Sequence, residues 1–337
     1  MLELFRFKFV PTAVFASFAA WQWIVANPAV AQPAGSAAPP TVWVVPDPDK
    51  LPDDALGRTV RRGRDLIVKT SSLIGPDAAD PAKRYAGNGL DCQSCHLLAG
   101  TQRFGLPLAG IWGLFPQYIA RENEIRTLEE RINGCMERSM NGRALPADGP
   151  EMKAMLTYIR FLSGAERVGQ PVEGRGAPPV PLPDRAGDPA HGKQVFDAVC
   201  SVCHGADGLG QRLEPSEAAE TGRRYRFPPL WGLDSYNDGA GMARAITAAQ
   251  FIHSNMPFGT TSEAPVLPVA DTFDVIAFIS GQPRPHKSGL EADFPDRSRK
   301  PADAAYPPFM GPFSPGQHRL GPWQPIQTWQ RSHARAD

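Results

Sequence analysis

Residues 92–96 read Cys92-Gln93-Ser94-Cys95-His96, and residues 200–204 repeat the spacing as Cys200-Ser201-Val202-Cys203-His204. Two thiols three positions apart can bond the two vinyl groups of one haem, while the adjacent histidine presents an imidazole nitrogen to the iron. A single pentad would also suit zinc or a redox dithiol. Two of them, each preceded by a stretch of helical periodicity, argue for two covalently bound haem c groups. A thioredoxin-like reading fails because no βαβ pattern surrounds either motif.

The flanking segments set the fold class. ALGRTVRRGRDLIVKTSSLIG (55–75) has apolar residues at helical spacing and ends at a glycine. Helical signals return over FPQYIARENEIRTLEERINGCMERSM (115–140) and PEMKAMLTYIRFLSG (150–164), where Pro150 suits a first turn and Gly164 a helix end. VGQPVEGRGAPPVPLPDRAGDPA (168–190) is too rich in Gly and Pro for either regular structure. Beyond it the order repeats: HGKQVFDAVC (191–200), the second motif, GMARAITAAQFIHSNMP (241–257) and DTFDVIAFISGQ (271–282). The chain therefore reads as all-α, with two cytochrome c-like haem domains at 54–167 and 191–283 joined by a long Gly/Pro-rich linker at 168–190. Residues 284–337, dominated by Pro, Gly and Arg, read as an extended C-terminal tail without regular structure.

At the other end, residues 1–31 combine an early basic pair (Arg6, Lys8), an apolar stretch and Ala29-Val30-Ala31, a small-x-small cleavage pattern. Pro11 and Gln22 interrupt the apolar run, which favours a secretory signal peptide over a membrane anchor. The mature protein is expected from about Gln32, with 32–53 a flexible lead-in and the periplasm as compartment. Thirty-five basic residues balance thirty-five acidic ones, so charge gives no reason to expect nucleic acid as a partner.

Each proximal histidine leaves one axial position of its iron for a downstream residue, usually Met or His. For the second haem, Met256 in SNMPFG (254–259) is the candidate and His253 the rival. For the first, GCMERSMNG (134–142) offers Cys135, Met136 and Met140. Cys135 is the one cysteine outside the two motifs, and a free thiol in an oxidising compartment is a hazard unless protected or used, which favours it as an iron thiolate. On a helix, Arg131, Cys135 and Ser139 share a face. Arg121 lies earlier in the same region, and an arginine beside a thiolate can stabilise the anion or grip an oxyanion. The plainer reading makes Arg121 and Arg131 part of a salt-bridged face with Glu122, Glu124, Glu129 and Glu130.

These stretches, with RYAGNGLDCQSCHLLAG (84–100), CSVCHGADGLG (200–210), YRFPPLWGLDSYNDGAGM (225–242) and GPFSPGQHRLGPW (311–323), resemble the dihaem thiosulfate dehydrogenases, which couple two thiosulfates to tetrathionate and can run in reverse. The resemblance implies His96 and Cys135 as axial ligands of the active-site haem. It implies Arg121, Arg131 and Ser139 as substrate-binding residues, and His204 and Met256 as ligands of an electron-transfer haem. Some members have a lysine before that methionine and exchange ligands on reduction; Asn255 stands there in this chain, so a simple His/Met pair is expected. A soluble or membrane-linked cytochrome is the implied electron acceptor.

Three alternatives stand beside this. A plain dihaem electron carrier leaves Cys135 and its arginine unexplained. A dihaem peroxidase needs an open iron position, against which a held thiolate counts. A physiological tetrathionate reductase would use the same residues in the opposite direction.

Overall fold

The structure is a computed structural model that describes residues 44–164 and 172–333. The expected signal peptide at 1–31 lies outside the described residues, as does most of the lead-in. Among the described residues, no helix is long and apolar enough to cross a membrane. The described residues form one compact unit in which two helical lobes are pressed together.

The first lobe is built on a crossing of α1 (Ala55–Val68) with a later helix, Pro150–Ser163. Asp54 caps α1 by accepting the Gly57 N–H at 2.8 Å, and Val60, Leu66 and Ile67 point into the core. Gly63 sits at the crossing: a Cβ there would lie 2.1 Å from the Ala154 carbonyl oxygen and 2.6 Å from Tyr158 Cβ. Only a residue without a side chain lets the two backbones approach so closely.

Between these helices the structure departs from expectation. The stretch 115–127, expected to be helical, forms a short antiparallel hairpin of β1 (Gln117–Ile119) and β2 (Glu124–Arg126), with Tyr118 opposite Ile125. Asn123 occupies the left-handed region at φ 58°, which a polar Asn tolerates at a turn. Helix α2 (Leu128–Arg138) starts only where Thr127 and Glu130 form a reciprocal capping box. Local turn and cap chemistry thus overrides the apolar spacing upstream.

The end of α2 is then pinned to the segment ahead of the first motif. Gly87 and Arg143 donate to the Met140 and Tyr85 carbonyls, each at 2.8 Å. Helix α3 (Pro150–Ser163) follows, closing at Gly164 with φ 50°.

The second lobe repeats the crossing in shorter form. Helix α4 (Pro189–Val195) continues without interruption through a π-turn, Phe196–Cys200, into Ser201–His204, so this motif is carried on a helix end. It crosses the lobe's last helix, Val269–Ser280, at Gly192, where a Cβ would meet the Asp274 carbonyl oxygen at 1.8 Å. Helix α5 (Ala245–Asn255) precedes that helix, α6 (Val269–Ser280). Phe196 packs on Trp231 and Phe278 with ring centroids 5.1 and 5.4 Å away.

The tail also corrects the reading from composition. It forms α7 (Pro315–Leu320) and α8 (Gln324–His333), and it buries Trp323 and Ile326 against Ala245, Ala249 and Phe273. Ser314 caps α7, accepting the Gln317 N–H at 3.1 Å, with Pro315 in the first turn. Its prolines start helices as well as break them, and Trp323 supplies the burial that holds the segment down.

The lobes share polar contacts. Asn88 donates to the carbonyls of Ser139 at 2.9 Å and Ser235 at 3.1 Å, while Arg224 pairs with both Asp77 and Asp234. The linker also contributes, since Phe104 and Leu106 donate to the Gly174 and Gly176 carbonyls.

Candidate functional site

All five cysteines are half-buried and unbridged. In the first lobe Cys92 is held by Thr70, whose hydroxyl accepts the Cys92 N–H at 3.0 Å and approaches its sulfur at 3.3 Å. His96 Nδ1 lies 2.5 Å from the Leu106 carbonyl oxygen. With Nδ1 donating there, Nε2 remains as the atom available to an iron. His204 is locked in the same way by the Pro228 carbonyl at 2.8 Å. Burial pulls the His204 pKa down, with the Pro228 bond opposing, which favours the neutral imidazole that a metal requires.

The electrostatics separate three neighbouring sulfurs. Burial pushes Cys92 and Cys95 up to about 12, so both are neutral thiols. Burial also raises Cys135, but the Arg131 charge, the His96 hydrogen bond and charge, and the Arg121 charge outweigh it and bring the thiol down to about 6. Arg131 Nη1 lies 3.4 Å from Cys135 Sγ, one turn away on α2. Cys135 is therefore the anionic sulfur at neutral pH. Met136 and Met140, the other candidates in this stretch, are 1% and 3% exposed and pack into the first lobe's apolar core.

Of the residues singled out from sequence, Arg131, Cys135 and Ser139 lie along one face of α2, Ser139 as its C-cap with its N–H on the Cys135 carbonyl. His96 adjoins Cys135, and Arg121 comes close enough to act on its charge. The salt-bridged reading of the two arginines is not what forms. Arg126 takes Glu124 at 3.1 Å and Glu130 at 3.2 Å, and among the described residues Arg121 and Arg131 make no ion pair. Arg121 Nε is buried without a hydrogen-bond partner. Burial lowers the Arg121 pKa, as do Arg138 and Arg131, with Tyr306 and Glu122 opposing.

In the second lobe Met256 caps α5, half-buried, and His253 lies in the last turn of the same helix. Asn255 is buried, its amide donating to the Phe251 and Phe104 carbonyls and its oxygen accepting from Gln102 at 2.8 Å. It ties the methionine loop to the loop that follows the first motif.

Sequence reasoning missed several of these groups. The Leu106 and Pro228 carbonyls carry no residue-type signal, and Thr70 is an ordinary helix residue. Arg138 and Asp293 form a buried bidentate pair at 2.8 and 2.7 Å across 155 positions, which no local pattern announces. Phe294 and Tyr306 adjoin them from the tail.

The donor set fits two c-type haems: paired thiols, an imidazole whose far nitrogen is anchored, and a sulfur ligand candidate in each lobe. The unpartnered buried Nε of Arg121 in addition offers a donor of the kind an anionic group would take up.

Comparison with known proteins agrees. Residues 82–168 match the SoxA/TsdA cytochrome c domain family, and residues 189–282 match the cytochrome c family. The chain is 42% identical over 268 residues to the thiosulfate dehydrogenase of Allochromatium vinosum, covering 78% of this chain and 91% of that protein. It is 38% identical over 259 residues to the thiosulfate dehydrogenase of Stutzerimonas stutzeri, covering 77% and 78%. Among solved structures, thiosulfate dehydrogenase (TsdBA) from Marichromatium purpuratum, in its as-isolated form, superposes with a TM-score of 0.65 at 33% identity. That match covers 75% of this chain and 51% of the other, so the chain spans about half of that longer protein.

Proposed function

The chain belongs to the thiosulfate dehydrogenase family, and from that premise we propose that it couples two thiosulfates to tetrathionate, with Cys135, Arg121, Arg131 and Ser139 carrying the reaction. The observation that carries this reading is Cys135 itself: a sulfur held anionic by a guanidinium 3.4 Å away, beside the proximal histidine of the first motif.

The problem the site must solve is repulsion between two dianions. Arg121 and Arg131, which make no ion pair among the described residues, supply positive charge before the substrates arrive, which lowers the barrier by preorganisation. Ser139 can donate its hydroxyl to a sulfonate oxygen. The two c-type haems, when bound, each accept one electron. His96 and Cys135 would hold the first, His204 and Met256 the second.

Cys135 thiolate bonds the outer sulfur of the first thiosulfate, giving a Cys-S-S-sulfonate and releasing two electrons. The outer sulfur of the second thiosulfate then attacks the sulfur bonded to Cys135. A new S–S bond forms, the bond to Cys135 breaks, and tetrathionate leaves with the thiolate restored. No net proton is consumed.

Electrons leave through the second lobe to a soluble or membrane-linked cytochrome. Residence in the periplasm belongs to the same reading and rests on the signal pattern at 1–31.

The test is tetrathionate formation from thiosulfate with ferricyanide as acceptor, for wild type beside Cys135→Ala. Turnover by wild type, lost in a variant that keeps both haems, is the expected result. A fully active Cys135→Ala would remove Cys135 from the mechanism.

A further inference from the structure

The arginines of the site pose a structural problem. A buried guanidinium must be held in place, yet a carboxylate partner would cancel the charge the substrate needs. For Arg138 the protein uses the carboxylate solution, with Asp293 gripping both terminal nitrogens and Tyr306 donating its hydroxyl to the same carboxylate. Asp293 is thereby committed and does not reach across to neutralise Arg121.

The next residue provides the other solution. Phe294 donates its backbone N–H to the Arg121 carbonyl at 2.6 Å, and the centroid of its ring lies 5.9 Å from Arg121 Cζ. An aromatic face attracts a cation through its quadrupole while leaving the charge unneutralised. Phe294 is 7% exposed and sits at φ 55°, in the left-handed region that bulky residues rarely adopt. Such backbone persists only where the surroundings hold it, and it recurs at functional positions. Lys300 flanks the same ring, with Nζ 6.0 Å from the centroid.

We infer that Phe294 is a positioning residue for Arg121: the tail segment Asp293–Phe294 forms a wall that aims this guanidinium at the bound dianion without quenching it. The inference rests on the reading that Arg121 binds thiosulfate.

The experiment compares Phe294→Leu, Phe294→Tyr, Arg121→Gln and the double variant Phe294→Leu/Arg121→Gln as holoenzymes. It measures KM and kcat for thiosulfate, and the calorimetric Kd for tetrathionate on the oxidised protein. Leucine keeps apolar bulk and loses the ring; tyrosine keeps the ring. Phe294→Leu should raise KM and Kd together by roughly three- to thirtyfold, with a smaller change in kcat, and Phe294→Tyr should restore wild-type values. In the Arg121→Gln background Phe294→Leu should add nothing further.

If Arg121→Gln leaves KM and Kd unchanged, the underlying assignment of Arg121 fails. If Arg121→Gln weakens both while Phe294→Leu does not, the positioning inference fails alone. A Phe294→Leu effect that persists in the Arg121→Gln background also overturns it. Should Phe294→Leu load haem poorly, Phe294→Met, unbranched and close in volume, serves the same comparison.

Discussion

The two lobes are built on one plan and diverge where chemistry demands it. Each crosses its first and last helices at a glycine that a methyl group would drive into a carbonyl, Gly63 against Ala154 and Gly192 against Asp274. Each locks its motif histidine through Nδ1 to a downstream carbonyl, Leu106 or Pro228. In the second lobe the helix runs straight into the motif, and the candidate sulfur ligand, Met256, is a neutral thioether on a helix cap. In the first, the candidate ligand is a cysteine on α2 held anionic by arginine, and Asp293 and Phe294 reach in from the tail beside Arg138 and Arg121. What differs is the charge placed beside the candidate sulfur, since Arg131 and Arg121 both act on Cys135.

The sharpest way to break this contrast is to remove each sulfur in turn. Cys135→Ala should lower kcat for thiosulfate by on the order of a thousandfold or more, because under the proposed mechanism it removes the group on which the S–S bond is made. Met256→Ala should instead leave the tetrathionate Kd unaltered while changing the potential and visible spectrum of the second haem. Redox titration and calorimetry on both variants check this. Loss of tetrathionate affinity in Met256→Ala with wild-type affinity in Cys135→Ala would invert the assignment of the lobes.

A middling effect is expected where the lobes are alike. Gly63→Ala and Gly192→Ala each place a methyl group against backbone that has nowhere to go, and each should destabilise by roughly 2–3 kcal/mol in reversible denaturant unfolding. Comparable losses would show that the two crossings are structural equivalents. A tolerated Gly63→Ala beside a damaging Gly192→Ala would show that the first lobe relies on its additional packing instead.

This contrast also explains what could be read from sequence. The motifs were legible because their chemistry is local: two thiols and an imidazole within five residues. Cys135 was legible by exclusion, and its face with Arg131 and Ser139 by helical spacing. The hairpin at 117–126 is hidden because apolar residues there mimic a helical period, although the Thr127–Glu130 capping box, itself a sequence signal, marks the true start of α2. In the tail composition misleads because proline both breaks and begins helices, and Ser314-Pro315 is a helix start. Nothing local could announce Asp293 on Arg138, 155 positions away, or Phe294 on Arg121. Nor could residue type disclose Leu106 and Pro228, which act through carbonyls that every residue has.

The smallest effect tests how the first lobe keeps its sulfur charged. The thiol of Cys135 is brought from 9.0 to about 6, with burial opposing and the Arg131 charge as the largest force lowering it. Between those values the protein holds a thiolate that an ordinary cysteine would not, so activity that needs the thiolate persists on the alkaline side and falls as pH drops through about 6. Arg131→Gln withdraws the leading contribution, so the acid limb of the kcat/KM profile should move to higher pH, with the alkaline plateau closer to wild type than values at pH 6. An iron held by Cys135 would pull the limb downward in both proteins and leave the sign of the difference unchanged. An acid limb that stays in place would mean that the metal alone sets the charge on Cys135, and that Arg131 serves only the substrate.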